Sequence, residues 1–235
     1  MNGSPSLIRL ERLELRFSPK PWAFALERQA EIEAFFVELQ RERPTVWNGR
    51  VLMMHRMELA DGVLRGDYLE TDYASFAAWG HWGRPPAGVY DCFGGAAVLS
   101  ADGAFLLGVM AAETAHAGEI YFPAGTPDPT DIVDGAVDLD VSVRRELKEE
   151  TGLDEAAFSA EPGWTAVVDG SLIALIKVLR SHESADALNA RVLDHLRSEQ
   201  HPELAGIRIV RGPADFEPAM LPFVQAFLAH RFADA

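Results

Sequence analysis

Asp138–Leu153 is the stretch that most restricts the fold. On a wheel of 100° per residue, Leu139, Val143 and Leu147 form one apolar stripe, and Gly152 followed by Leu153 is a helix stop with its hydrophobic contact. Asp138 or Asp140 can cap the start, favourably placed against the helix dipole. A helix with one apolar stripe must bury it against a sheet or another helix. Here the stripe also carries Glu150, with Glu146 at its edge and Glu149 further round. Carboxylates at i, i+3 and i+4 share a face, and the Glu146/Glu150 repulsion weakens the helix by about 0.2–0.5 kcal/mol. A carboxylate turned toward a core must be paired, protonated or bound to metal. Oxygen-only ligands suit Mg²⁺, which takes one or two carboxylates and leaves room for water and phosphate. From these residues alone the alternative is a solvated helix whose acids balance Arg144, Arg145 and Lys148.

The rest of the chain alternates strand and helix signals. Residues 6–17 alternate apolar and charged residues and predict a strand, and residues 22–42 predict a helix stopped by Pro44. Val51–Glu58 and Val63–Leu69 predict a hairpin turned at Asp61-Gly62. Gly94–Ser100 and Ala104–Met110 predict another, turned at Asp102-Gly103. A short aromatic helix near Tyr73–Trp79 leads into Gly83-Arg84-Pro85-Pro86, the expected boundary between an N-terminal extension (1–86) and a second domain (87–235). Beyond it come a short strand at Glu119–Pro123, a long acidic connection to Val137 and the helix above. A strand over Ser171–Leu179, a helix over 184–199, a short strand at Ile207–Val210 and a final helix over Pro218–Phe232 complete the pattern.

No apolar run approaches a membrane span, and Met1-Asn2-Gly3-Ser4-Pro5 lacks the layout of a secretory signal. One cysteine, Cys92, rules out an intrachain disulfide, so a cytoplasmic protein is expected. A net charge of −15 argues against a nucleic-acid or anionic-membrane partner. It allows a small phosphorylated substrate, because a metal ion and a few arginines reverse the field locally.

Arg145-Glu146-Leu147-Lys148-Glu149-Glu150-Thr151-Gly152-Leu153 matches the second half of the Nudix box, and Phe122-Pro123-Ala124-Gly125 resembles the loop that opens it. The chain is therefore identified, by resemblance over about residues 88–215, with the Nudix hydrolase superfamily. That implies a Nudix-type α/β/α sandwich with a mixed sheet, here with an N-terminal extension. Two departures stand out. The connection from Gly125 to Arg145 carries a six-residue insertion, and Val137 occupies the place of the first box glutamate. In the family that glutamate mainly buttresses the arginine, and Asp138 or Asp140 is the expected substitute.

The resemblance implies divalent-metal-dependent hydrolysis (Mg²⁺ or Mn²⁺) of the diphosphate bond in a nucleoside diphosphate linked to another moiety. Glu149 and Glu150 resemble the metal-binding pair, and Glu146 resembles a further ligand or the general base. Arg145 resembles the residue that orients a glutamate, and the carbonyl of Ala124, beside Gly125, falls where the family supplies another ligand. An additional acid from outside the box is expected at Glu199 or, second, Glu203. Gly125 of the box loop, Arg84, in the aromatic run Trp79–Arg84, and His116, shortly before the box loop, are candidate substrate contacts. The rival reading is a Nudix-fold nucleotide-binding or regulatory module without turnover, against which the intact acid set counts. Exposed strand edges in the extension make a homodimer a further expectation.

Overall fold

The computed structural model describes residues 5–114 and 116–233. Residues 1–4, the start of the stretch that lacks a secretory pattern, lie outside them, as do Ala115 and residues 234–235.

The alternating run at the N-terminus forms two strands where one was expected. β1 (Ser6–Leu10) and β2 (Arg12–Phe17) part at Glu11 and enter different sheets. The reason lies in the pattern itself. Ile8 and Leu10 occupy even positions and Leu13, Leu15 and Phe17 odd ones, so the inward face switches between them. The expected helix over 22–42 is likewise broken at Arg28 into α1 (Ala23–Glu27) and α2 (Gln29–Glu42). Phe24 and Ala25 of α1 pack against two apolar clusters, and α2 gives its buried residues to one of them. Trp22, beside α1, packs with Met53, Leu69 and Trp79, while Ile32 and Phe36 of α2 pack on Ala74 and Ala78.

β3 (Arg50–Ala60) and β4 (Val63–Asp72) form the first expected hairpin, with Asp61 and Gly62 both left-handed as such a two-residue turn requires. α3 (Tyr73–His81) follows, capped by Asp72, whose side chain accepts from the Ser75 amide at 2.9 Å. β5 (Asp91–Leu99) and β6 (Phe105–Met110) form the second hairpin. Short strands β7 (Ile120–Tyr121) and β8 (Ala124–Gly125) flank the loop residues Phe122 and Pro123. The acidic connection is itself structured, with β9 (Ile132–Val133) and β10 (Ala136–Val137) forming a small hairpin before α4 (Leu139–Thr151). Then come β11 (Phe158–Ala160), β12 (Trp164–Asp169), β13 (Leu172–Ser181), α5 (Ala185–Ser198), β14 (Leu204–Val210) and α6 (Pro222–Ala233). β11 and β12 are not among the elements expected above.

Among the described residues these strands form two mixed sheets. The larger has nine strands in the order β1-β12-β13-β5-β6-β14, with β11 on β13, β7 on β6 and β8 on β5; the smaller runs β3-β4-β2-β10-β9. β13 and β5 are parallel, as are β2 and β4, and the other pairs are antiparallel. Alternate residues of β5 and β13 face opposite layers. Ala96, Val98, Ile173 and Leu175 meet Leu139, Val143 and Leu147 of α4, α5 and the smaller sheet. Ala97, Leu99, Ala174 and Ile176 meet Phe223, Val224 and Phe227 of α6. The result is the α/β/α sandwich with a mixed sheet that the sequence predicts. The sequence position expected as a boundary is crossed by strand pairing in both directions. β1 edges the nine-stranded sheet through β12, and β10 extends the smaller sheet through β2. No helix among the described residues is long and apolar enough to cross a membrane.

Candidate metal and catalytic site

Both ends of α4 are fixed by its own sequence. Asp138, of the two expected caps, accepts from the amides of Asp140 (3.0 Å) and Val141 (3.2 Å). Gly152 adopts φ +67° and donates to the Lys148 carbonyl at 2.8 Å. Leu139, Val143 and Leu147 are buried in the main core. This packing turns Glu150 inward, where it is 5% exposed. The Glu146 side chain lies beside it at 13% exposure, whereas that of Glu149 stands out at 60%. The three carboxylates therefore lie in the order that the helix wheel gives. Glu146 and Glu150 form the inward pair, and Glu149 points to the rim, 3.4 Å from Arg145 Nη1.

The Phe122–Gly125 loop closes over this pair. Phe122 is buried against Phe227, and the Pro123 carbonyl accepts from the Ala96 amide at 2.9 Å. Ala124 is not among the described non-glycine residues with positive φ, so the loop accommodates its Cβ without strain. Gly125 is different, because a Cβ there would overlap the Glu146 carboxylate. The glycine lets helix and loop approach closely enough to seat Glu146.

Burial raises the Glu146 carboxyl to about 7; Arg145 opposes this, and Glu149, Glu203 and Asp131 add to it. Burial also holds Glu150 well above the ordinary carboxylate range, reinforced by Glu146 and Glu203 and opposed by a backbone hydrogen bond from Ala124. Glu150 Oε2 is buried with no protein hydrogen-bond partner. Two adjoining buried carboxylates, one with an orphaned oxygen, are an electrostatic deficit that a small hard cation matches. Among the described residues no three His, Cys, Asp or Glu side chains already form a ligand cluster. The residues that fit such an ion are the two carboxylates Glu146 and Glu150, the number that Mg²⁺ accepts from a protein.

Arg145 joins this pair to the acidic connection. Its Nη1 lies 2.7 Å from Glu146 Oε1, and its Nη2 lies 3.0 Å from Asp131 Oδ2 and 3.7 Å from Asp128 Oδ2. The aspartates expected to support the arginine are engaged elsewhere, Asp138 on the helix cap and Asp140 beside Lys177 Nζ at 3.7 Å. The buried partner is Asp131, 0% exposed. Its sequence signal is Asp128-Pro129-Thr130-Asp131, a reciprocal cap in which Asp128 accepts from Thr130 and Asp131 accepts from the Asp128 amide.

The remaining candidates separate. Glu203 is the outside acid whose charge reaches Glu146 and Glu150. Glu199, preferred on sequence, ends α5 with its carboxylate 3.9 Å from His195 Nε2. Arg84 is held by the buried Asp91 at 3.1 Å and lies over Trp79, within the packing of the N-terminal segment. His116 pairs with Glu119 at 2.8 Å and sets its ring edge-on to Tyr121. Tyr121, which sequence reasoning did not single out, stands among the acids. Burial raises its phenol, and Glu150, Glu119, Glu203 and Glu146 raise it further. Its one sequence signal is its place immediately before Phe122-Pro123.

No protein-family model matches the sequence, and a comparison with curated proteins finds no match. Among solved structures the chain is similar to a Nudix hydrolase from M. smegmatis, RenU, at 16% identity and TM-score 0.39, covering 61% of this chain and 84% of that one. It is similar to a MutT protein from Methanosarcina mazei Go1 at 18% identity and TM-score 0.38, covering 62% and 94%. A third similar structure is the Bacillus subtilis pyrophosphohydrolase BsRppH, at 15% identity and TM-score 0.31, covering 51% and 61%. What the site can do is therefore taken from its own geometry.

Proposed function

We propose that this chain hydrolyses the diphosphate bond of a small nucleotide-derived substrate with the help of Mg²⁺ or Mn²⁺. The observation that carries this reading is the buried Glu146/Glu150 pair under the Phe122–Gly125 loop, with Glu150 Oε2 orphaned. Glu146, Glu150 and the Ala124 carbonyl would hold the ion, with Glu149 at the rim. When bound, such an ion neutralises diphosphate charge and the charge that develops at phosphorus.

The chain's own groups do the rest. Arg145 holds Glu146 by one edge of its guanidinium, which fixes the carboxylate against the loop. Gly125 keeps that loop tight. Glu203, the acid whose field reaches both inner carboxylates, is proposed as general base. It takes the proton of the attacking water as the new P–O bond forms and the bridging P–O bond breaks, the electron pair leaving with the departing phosphate.

A panel of nucleoside diphosphate derivatives, assayed with Mg²⁺ and with Mn²⁺ beside Glu150→Gln, tests the reading. Metal-dependent release of two phosphate-bearing products by the wild type, lost in E150Q, supports it. Equal, metal-independent background in both proteins across the panel overturns it.

A further inference from the structure

The six-residue insertion and the N-terminal sheet do not merely flank the acid pair. We propose that Asp131 is a positioning residue that acts on Glu146 through Arg145, and that the five-stranded sheet is the frame that holds it there. This inference rests on the cation-site reading above.

The connection that carries the insertion is pinned to that sheet at two points. The Pro127 carbonyl accepts from the Leu52 amide of β3 at 2.7 Å, and the Gly135 carbonyl accepts from the Phe17 amide at the end of β2 at 2.9 Å. β10 pairs with β2 through Ala136 and Arg16. Between these anchors Asp131 is locked through its own backbone, its amide donating to Asp128 (3.0 Å) and its carbonyl accepting from Asp138 (2.8 Å). Its Oδ2 accepts from the Asp128 amide and from Arg145 Nη2, both at 3.0 Å. The chain thus carries a buried carboxylate from the N-terminal sheet to the far edge of the arginine that touches Glu146.

The consequence is electrostatic. Arg145 can serve Glu146 in two ways, by orienting it or by neutralising it, and the second would repel a cation. With Asp131 on Nη2 the guanidinium charge is offset on its far side, and the fork is held so that Nη1 alone reaches Glu146. Glu146 keeps its orientation, and the negative charge of Asp131 leaves the field around the pair favourable to a cation. Without Asp131, a part-buried arginine is left with Glu146 as its nearest acid, and cation affinity falls.

Mn²⁺ titration calorimetry on the full chain, without substrate, reads this directly in D131N, R145Q and the double variant. Removal of such a supporting partner typically weakens a metal site by about 10- to 100-fold. We expect that loss for D131N in the wild-type background and no further loss when D131N is added to R145Q, because the charge being offset is then gone. D131N binding within twofold of wild type, or the same loss in both backgrounds, overturns the proposal while leaving the metal site standing. A wild type that does not take up Mn²⁺ overturns the functional reading and this inference with it. Should D131N fail to fold, D128N at the more exposed neighbouring carboxylate reads the same path. A smaller loss, present with Arg145 and absent with R145Q, supports the proposal, and an unchanged or background-independent affinity overturns it.

Discussion

Glu146→Gln should stabilise this protein when divalent ions are removed. Burial raises the Glu146 carboxyl from an ordinary value of 4.5 to about 7. At pH 5 the folded state keeps the proton at this position. Between the ordinary value and about 7 the unfolded chain has released its proton while the folded one has not, so raising the pH removes stability. Above about 7 the full penalty is present. The difference is about 2.5 pH units, or on the order of 3 kcal/mol as an upper bound. Glutamine keeps the size of the side chain and removes the charge, so a gain of about 1–3 kcal/mol is expected at pH 8 in chelator. For a chain of this length each kcal/mol moves Tm by about 2–4 °C, which gives a rise of roughly 2–12 °C. The assay is thermal unfolding of both proteins at pH 5 and pH 8, with chelator and with Mg²⁺. The E146Q advantage should shrink several-fold at pH 5, and the wild type should gain more from Mg²⁺ at pH 8. If E146Q is no more stable than wild type at pH 8 in chelator, the buried-repulsion account of the site is wrong. A site that lowers the stability of its own metal-free fold is the trade expected where function needs strained electrostatics.

Gly125→Ala places a methyl group in the Glu146 carboxylate, so that side chain must leave its seat. An overpacking loss of about 1–3 kcal/mol is expected in urea unfolding, with loss of Mn²⁺ binding; a variant that keeps wild-type affinity would refute the close approach. Glu203→Gln and Glu199→Gln, compared on the best substrate of the panel, test the choice of base. E203Q should lower kcat about 10²- to 10⁴-fold, and a larger loss in E199Q would show that α5 rather than the Glu203 segment completes the site.

How much of this was legible depended on distance along the chain. Much of α4 was readable, including its glycine stop and the inward turn of Glu150, because these are relations within one short helix, whereas the choice of Asp138 over Asp140 as its cap was left open. The hairpins at Asp61-Gly62 and Asp102-Gly103 were readable for the same reason. The break at Glu11 was present as a slip in alternation, but its meaning depended on two sheets that the pattern does not name. The partner of Arg145 was not readable. Asp138 and Asp140 were nearer in sequence, yet the chain path gives one to the helix cap and the other to Lys177.

The sequence by itself determined a capped acidic helix with one apolar stripe and placed Glu146 and Glu150 along that stripe, for which a cation site was one of two readings. Only the tertiary structure decided what surrounds that pair, setting the charge of Glu203 against Glu150 and placing Glu199 beside His195. It also took Arg84 away to Asp91 and delivered Asp131 to Arg145 from a hairpin carried by the N-terminal sheet. The physical reason is one of range. Periodicity and capping act over a few residues, whereas a charge buried in a core finds its partner through the whole path of the chain.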